Sequence, residues 1–107
     1  MRYLSLAAVT MSLLASSEAR ADEWRYCLAT ATSGNTIYVS NAFESAAPLE
    51  ILQRKFAEAL EQKQYHASGI QCPRGGSSDV ISSDIARLVS YQKALGNRIS
   101  QVDWPSS

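Results

Sequence analysis

The chain has 107 residues, 46% of them hydrophobic, enough for one small domain. Ten Lys and Arg balance ten Asp and Glu, so net charge gives no reason to expect a nucleic acid or anionic-membrane partner. One His and two Cys leave little material for a metal site or a catalytic dyad.

The N-terminus reads as a signal peptide. Arg2 supplies the positive start, and Leu4 to Ala15 form an uncharged apolar run. Ala19 and Ala21 give the small-x-small pattern that signal peptidase cuts after. The run is shorter than the roughly 20 residues of a membrane-spanning helix. Residues 1–21 are therefore expected to be removed. Residues 22–107 then form a single small α+β domain in the periplasm or outside the cell, with no membrane span after cleavage.

Cys27 and Cys72 both lie in the mature part. In an oxidising compartment two lone cysteines normally pair. The alternatives are a redox thiol or an intermolecular bridge, and no Cys-x-x-Cys favours the former. A Cys27–Cys72 disulfide would contribute about 4 kcal/mol by restricting the unfolded chain.

Glu23 to Ala31 reads as a strand, with Trp24, Tyr26 and Leu28 alternating against Arg25, Cys27 and Ala29. Thr32-Ser33-Gly34-Asn35 is a turn. Thr36 to Phe43 is the second arm of a hairpin. Ile37, Val39 and Phe43 point one way, Tyr38, Ser40 and Ala42 the other. A helix follows to about Gln64, with Ser45 as N-cap and Pro48 in the first turn. Its apolar stripe is Leu49, Leu52, Phe56, Ala59 and Leu60, opposite Glu50, Arg54, Glu58 and Glu61.

A third strand is expected near Ser68–Cys72, and Arg74 to Ser78 form a loop. The second helix runs from about Asp79 to Leu95, capped by Ser77 or Ser78 and stopped by Gly96-Asn97. Ile81, Ile85, Leu88, Gln92 and Leu95 form its stripe, beside Val89 and Tyr91. Arg98 to Trp104 is the last strand, with Val102 and Trp104 on its core side, and Pro105 ends it. The order ββαβαβ predicts an α+β fold: a sheet of about four strands, two helices on one face, one disulfide.

At Ile37-Tyr38-Val39-Ser40-Asn41-Ala42-Phe43 the chain resembles the opening of SPOR domains. There a strand ending in a small-residue-Phe corner leads into a helix. That family binds glycan strands of peptidoglycan, so the resemblance implies a cell-wall ligand. It departs from the family's β-α-β-β-α-β order, because here a hairpin precedes the first helix. The chain also resembles small exported proteobacterial proteins with two cysteines and a C-terminal Trp, a likeness that implies no activity.

Arg74-Gly75-Gly76-Ser77-Ser78 is a candidate anion-binding loop. Glycines let backbone N–H groups approach a ligand, and the following helix start favours negative charge. It lacks the Lys and spacing of a nucleotide-binding loop, and the ordinary reading is a loop with an N-cap. Trp24, Tyr26, Tyr38 and Trp104 lie on strands. On an uncovered face such aromatics stack on sugars or fill a protein interface, and Tyr38 is the candidate for that role. Their ordinary use is packing. His66 stands alone, and the carboxylates are scattered, without a Gly-x-Ser-x-Gly or His-Glu-x-x-His pattern. The expectation is a non-catalytic envelope protein that binds another protein, with peptidoglycan as the alternative partner and no cofactor.

Overall fold

A computed structural model describes residues 22–106, so the expected signal peptide at 1–21 lies outside the described residues. The elements in chain order are β1 (Glu23–Arg25), β2 (Leu28–Ala31), β3 (Thr36–Val39), β4 (Phe43–Ser45), α1 (Leu49–Gln62), β5 (Ala67–Gln71), β6 (Arg74–Gly75), α2 (Ser78–Ala94) and β7 (Arg98–Gln101). Two sheets form, one in the order β4-β1-β6 and one in the order β5-β2-β3-β7. Among the described residues only β3 and β7 pair in parallel. The α+β class, the two helices and the disulfide stand as expected.

Each hairpin arm is broken in two. β1 pairs with β4 and β2 with β3, both antiparallel, but Arg25 faces Phe43 while Leu28 faces Val39. Residues 26–27 on one arm thus oppose 40–42 on the other. One extra residue on the second arm bends the hairpin and passes it from one sheet to the next. The expected single strands 23–31 and 36–43 are therefore four short ones. The sequence pattern hides this because Arg25, Tyr26 and Cys27 are all buried, so alternation stops at the bend.

The bend also reassigns faces. Ile37 and Val39 are buried with Tyr26 and Ile81, against Ile85, Leu88 and Ile99. Tyr38 and Phe43 instead pack against Cys27, Ala29, Leu52, Phe56, Leu60 and Val102. Adjacent residues of β3 thus reach different helices. Instead of sharing one face, α1 covers one side of the larger sheet and α2 the other. Phe43 parts from Ile37 and Val39 because the extra residue reverses the period-two pattern. Two covered faces suit this sheet because Ala29 and Leu28 on β2 are both removed from full exposure, one toward each helix.

The disulfide joins two of the places where the chain changes sheets. Cys27 lies between β1 and β2, and Cys72 between β5 and β6. Both are buried, with Cα atoms 4.0 Å apart. Beside them the Tyr26 N–H donates to the Pro73 carbonyl at 3.3 Å. The buried Arg25 Nη1 donates to the Cys72 carbonyl at 2.7 Å. That carbonyl would otherwise be left without a partner in a dry site.

Helix boundaries differ slightly from expectation. Ser45 does not cap α1; its Oγ accepts the Ala47 N–H at 3.0 Å, and Pro48 occupies the cap position without a side-chain bond. Ser77 caps α2 as expected, its Oγ accepting the Val80 N–H at 3.2 Å. Leu49, Tyr91 and Leu95 are exposed, and Ile81 is the one fully buried residue of α2. Arg74 and Gly75, expected in a loop, form β6 by pairing with Arg25 and Trp24. A Cβ on Gly75 would stand 2.9 Å from Val80 Cγ1 and 3.0 Å from Ile81 Cδ1. Glycine there lets α2 begin two residues after β6 without displacing the Val80 and Ile81 side chains.

Candidate functional site

The short edge strand β4 has a cleft on each side, and Glu44 lines both. Its neighbours alternate as on any strand. Glu44 faces Trp24 on β1, which in turn faces Gly75 on β6, so these three share one side of the sheet. Phe43 and Ser45 take the other side.

The first cleft has a volume of about 480 Å³ and is lined by Asp22, Glu23, Trp24, Glu44, Arg74, Gly75 and Gly76. Gly75 contributes no side chain, which leaves the space beside the half-buried indole of Trp24 open. Glu23 bridges two guanidinium groups: Oε1 to Arg25 Nη2 at 3.0 Å, Oε2 to Arg74 Nη1 at 2.9 Å. Arg74, the sole cation among the described lining residues, is thus already paired. Among the described residues Asp22 and Glu44 make no salt bridge, so the described lining is net acidic.

The second cleft has a volume of about 510 Å³ and a more apolar floor. Phe43, Leu52 and Trp104 form it, with Ile51, Pro105, Ala47 and Lys55 around them. Trp104 is fixed on two sides. Its ring meets Phe43 edge-on at 5.3 Å between centroids and tilts against Phe56 at 5.1 Å. Both arrangements are favoured by the ring quadrupoles. Lys55 and Glu44 put opposite charges on the rim.

The free edge of β4 separates the two clefts. The Tyr26–Pro73 bond fixes the ladder phase on β1, since alternate residues of an antiparallel strand turn their backbone groups to opposite neighbours. Trp24 and Tyr26 therefore point their N–H and C=O groups at β6, and Glu23 and Arg25 point theirs at β4. It follows that Phe43 and Ser45 bond inward, while the backbone N–H and C=O of Glu44 point outward. Among the described residues the C-terminal segment bonds this arm last at Asn41, whose N–H donates to the Trp104 carbonyl at 3.0 Å, and Pro105 and Ser106 continue along the second cleft. Among the described residues no hydrogen bond covers Glu44.

The residues singled out from sequence fall in three places. Arg74, Gly75 and Gly76 do line one cleft together, but carboxylates surround them and Arg74 is held by Glu23. Ser77 uses its hydroxyl as the α2 cap, and Ser78 is the first residue of that helix. The arrangement suits a cation or a hydroxyl-rich group better than an anion. Tyr38 is half-buried, away from both clefts, with its ring stacked on Tyr65 at 4.8 Å and 5° between planes. Tyr26 is buried, and burial together with the nearby Asp84 carboxylate raises its pKa above the ordinary 10.0, against a smaller opposing effect of Arg87. His66 is exposed, and its carbonyl accepts the Thr32 N–H at 2.9 Å. Sequence reasoning missed Glu44, Glu23 and Asp22, which read only as scattered carboxylates. An unbroken hairpin with Leu28 opposite Val39 would set Phe43 opposite Trp24, and only the extra residue at the bend brings Glu44 there.

Comparison with protein-family models, with curated proteins and with solved structures finds no match.

Proposed function

We propose that this is an exported, non-catalytic, disulfide-stapled domain that binds another protein of the cell envelope through the surface around β4. The observation that carries the reading is the pair of clefts meeting at Glu44, one floored by Phe43 and Trp104 and the other by Trp24. Aromatic side chains held rigid by packing, with charges on the rim, are the usual anchors of protein interfaces. The buried disulfide and the lack, among the described residues, of a helix able to cross a membrane agree with an exported domain. Passing envelope extract of the source organism over the immobilised oxidised chain tests this. One envelope protein should be retained, and should bind again when purified. Glu44→Lys combined with Lys55→Glu, which reverses both rim charges, should weaken that binding at least tenfold. Failure to retain any protein would refute the reading.

A second reading, binding of peptidoglycan glycan, is favoured by Trp24 lying among Asp22, Glu23 and Glu44 in an open cleft. An indole face with hydrogen-bonding carboxylates beside it fits a sugar ring. Co-sedimentation with purified peptidoglycan, lost on Trp24→Ala, would support it. Absence of co-sedimentation would remove it.

A further inference from the structure

We infer that the partner supplies an extended segment that adds as a strand to the free edge of β4, with the local pattern apolar–basic–apolar. This inference rests on the protein-binding reading and specifies what is bound.

The backbone argument comes first. Glu44 turns an N–H and a C=O outward; among the described residues the last hydrogen bond from the C-terminal segment to this arm is at Asn41, and Pro105 and Ser106 run on along the second cleft without bonding Glu44. A strand laid beside β4 gains two main-chain hydrogen bonds at Glu44 alone. Two of the other edges, β5 and β6, are less open to this. On β5 the pairing with β2 shifts register between Leu28 and Thr30, Gly69 adopts φ 64°, and the Ile70 carbonyl already accepts Gln53 Nε2 at 3.3 Å. These are the devices by which edges are blunted. β6 has two residues and is followed directly by the α2 cap.

Side chains then set the pattern. In the antiparallel addition inferred here, the residue directly opposed to Glu44 lies on the same side of the sheet, and its N–H donates to the Glu44 carbonyl. The residue opposite Glu44 therefore points to the Trp24 side, into the cleft that Asp22 and Glu44 also line. There the Arg74 charge is paired with Glu23, while among the described residues Asp22 and Glu44 pair with no cation. A Lys or Arg completes this set and places its charge near the indole face, where cations are also attracted. The residues on either side of it point into the other cleft, over Phe43, Leu52 and Trp104. Aliphatic or aromatic side chains fit there. The two clefts thus read alternate residues of one strand, which explains why they flank the same three-residue element.

Fluorescence anisotropy with the full oxidised chain tests this. The probe is a labelled nine-residue peptide with Val-Lys-Val at its centre. Replacing the central Lys by Glu should weaken binding at least tenfold. Methylating the backbone nitrogen of that Lys should do the same, because it removes the donor to the Glu44 carbonyl. On the protein, Glu44→Pro removes the outward N–H, and proline is tolerated at edge positions of this kind. That variant should keep the wild-type circular dichroism spectrum and disulfide yet bind the peptide at least tenfold more weakly. Four results would overturn the inference. They are no binding of the Val-Lys-Val peptide, equal binding of the methylated peptide, displacement by an N-acetylglucosamine tetramer instead, or a wild-type dimer in sedimentation that Glu44→Pro dissolves. Retention of the envelope protein with undiminished affinity by Glu44→Pro would separate the two levels. Protein binding would then stand and strand addition would fall.

Discussion

The Ser40 hydroxyl takes the place of a backbone carbonyl for Cys27. Cys27 N–H donates to Ser40 Oγ at 2.8 Å, while Ser40 N–H donates to the Cys27 carbonyl at 2.9 Å. The same hydroxyl donates to the Asn41 carbonyl at 2.8 Å. Both residues are fully buried. The hairpin bends here, where the extra residue would otherwise leave a buried N–H without a partner.

Ser40→Ala should therefore cost about 1–3 kcal/mol, the penalty for an unsatisfied buried donor. Urea unfolding of the oxidised chain measures it. A loss under about 0.5 kcal/mol would mean that Cys27 finds another acceptor and that Ser40 does not hold the bend.

Tyr38→Ala and Phe43→Ala should destabilise to a similar degree, each by about 2–3 kcal/mol, because both rings pack against the α1 side. Tyr38→Phe should stay within about 0.5 kcal/mol, since the stack on Tyr65 survives. A Tyr38→Ala variant as stable as wild type would restore an open sheet face.

How far the sequence carried these conclusions depends on the kind of signal. Both helices, the turn at Gly34, the Ser77 cap and the Cys27–Cys72 pair were legible because each rests on local chemistry or on cysteine counting. Ile37 against Tyr38 was legible as alternation. That alternation stayed silent about whether one helix or two would cover the sheet, because Tyr38 fits an interface or a core equally well. Phe43 was misplaced because a one-residue bulge leaves no mark in composition. The clefts were hidden for a related reason. Glu23, Glu44 and Arg74 are distant in sequence and meet only through the pairing of β1 with β4 and β6.

Gln64 ends α1 in the left-handed region, with φ 63°, while Tyr65 N–H reaches back to the Leu60 carbonyl at 2.9 Å. Glycine adopts that conformation without the Cβ penalty. Gln64→Gly should raise stability by about 1 kcal/mol and shift Tm upward. A lower Tm would show that the Gln64 side chain contributes more than its backbone costs.

Tyr26 makes stability fall at alkaline pH. Its folded pKa lies above the ordinary 10.0 because burial and Asp84 disfavour the phenolate. A raised folded value means that the stabilisation is complete below pH 10.0 and is lost as pH climbs through the folded pKa. Tyr26→Phe should reduce the drop in unfolding free energy between pH 8 and about pH 11 relative to wild type. An identical pH profile for the two proteins would contradict this.

Amide hydrogen exchange at β4, followed residue by residue by NMR, tests most directly that this strand is an open binding edge. In the free oxidised chain the Glu44 amide should exchange rapidly while those of Phe43 and Ser45 are protected. Adding the envelope protein retained from extract should slow Glu44 at least tenfold and leave the exposed surface at Tyr91 unchanged. A Glu44 amide already protected in the free chain, or one unaffected by the bound partner, would contradict the account.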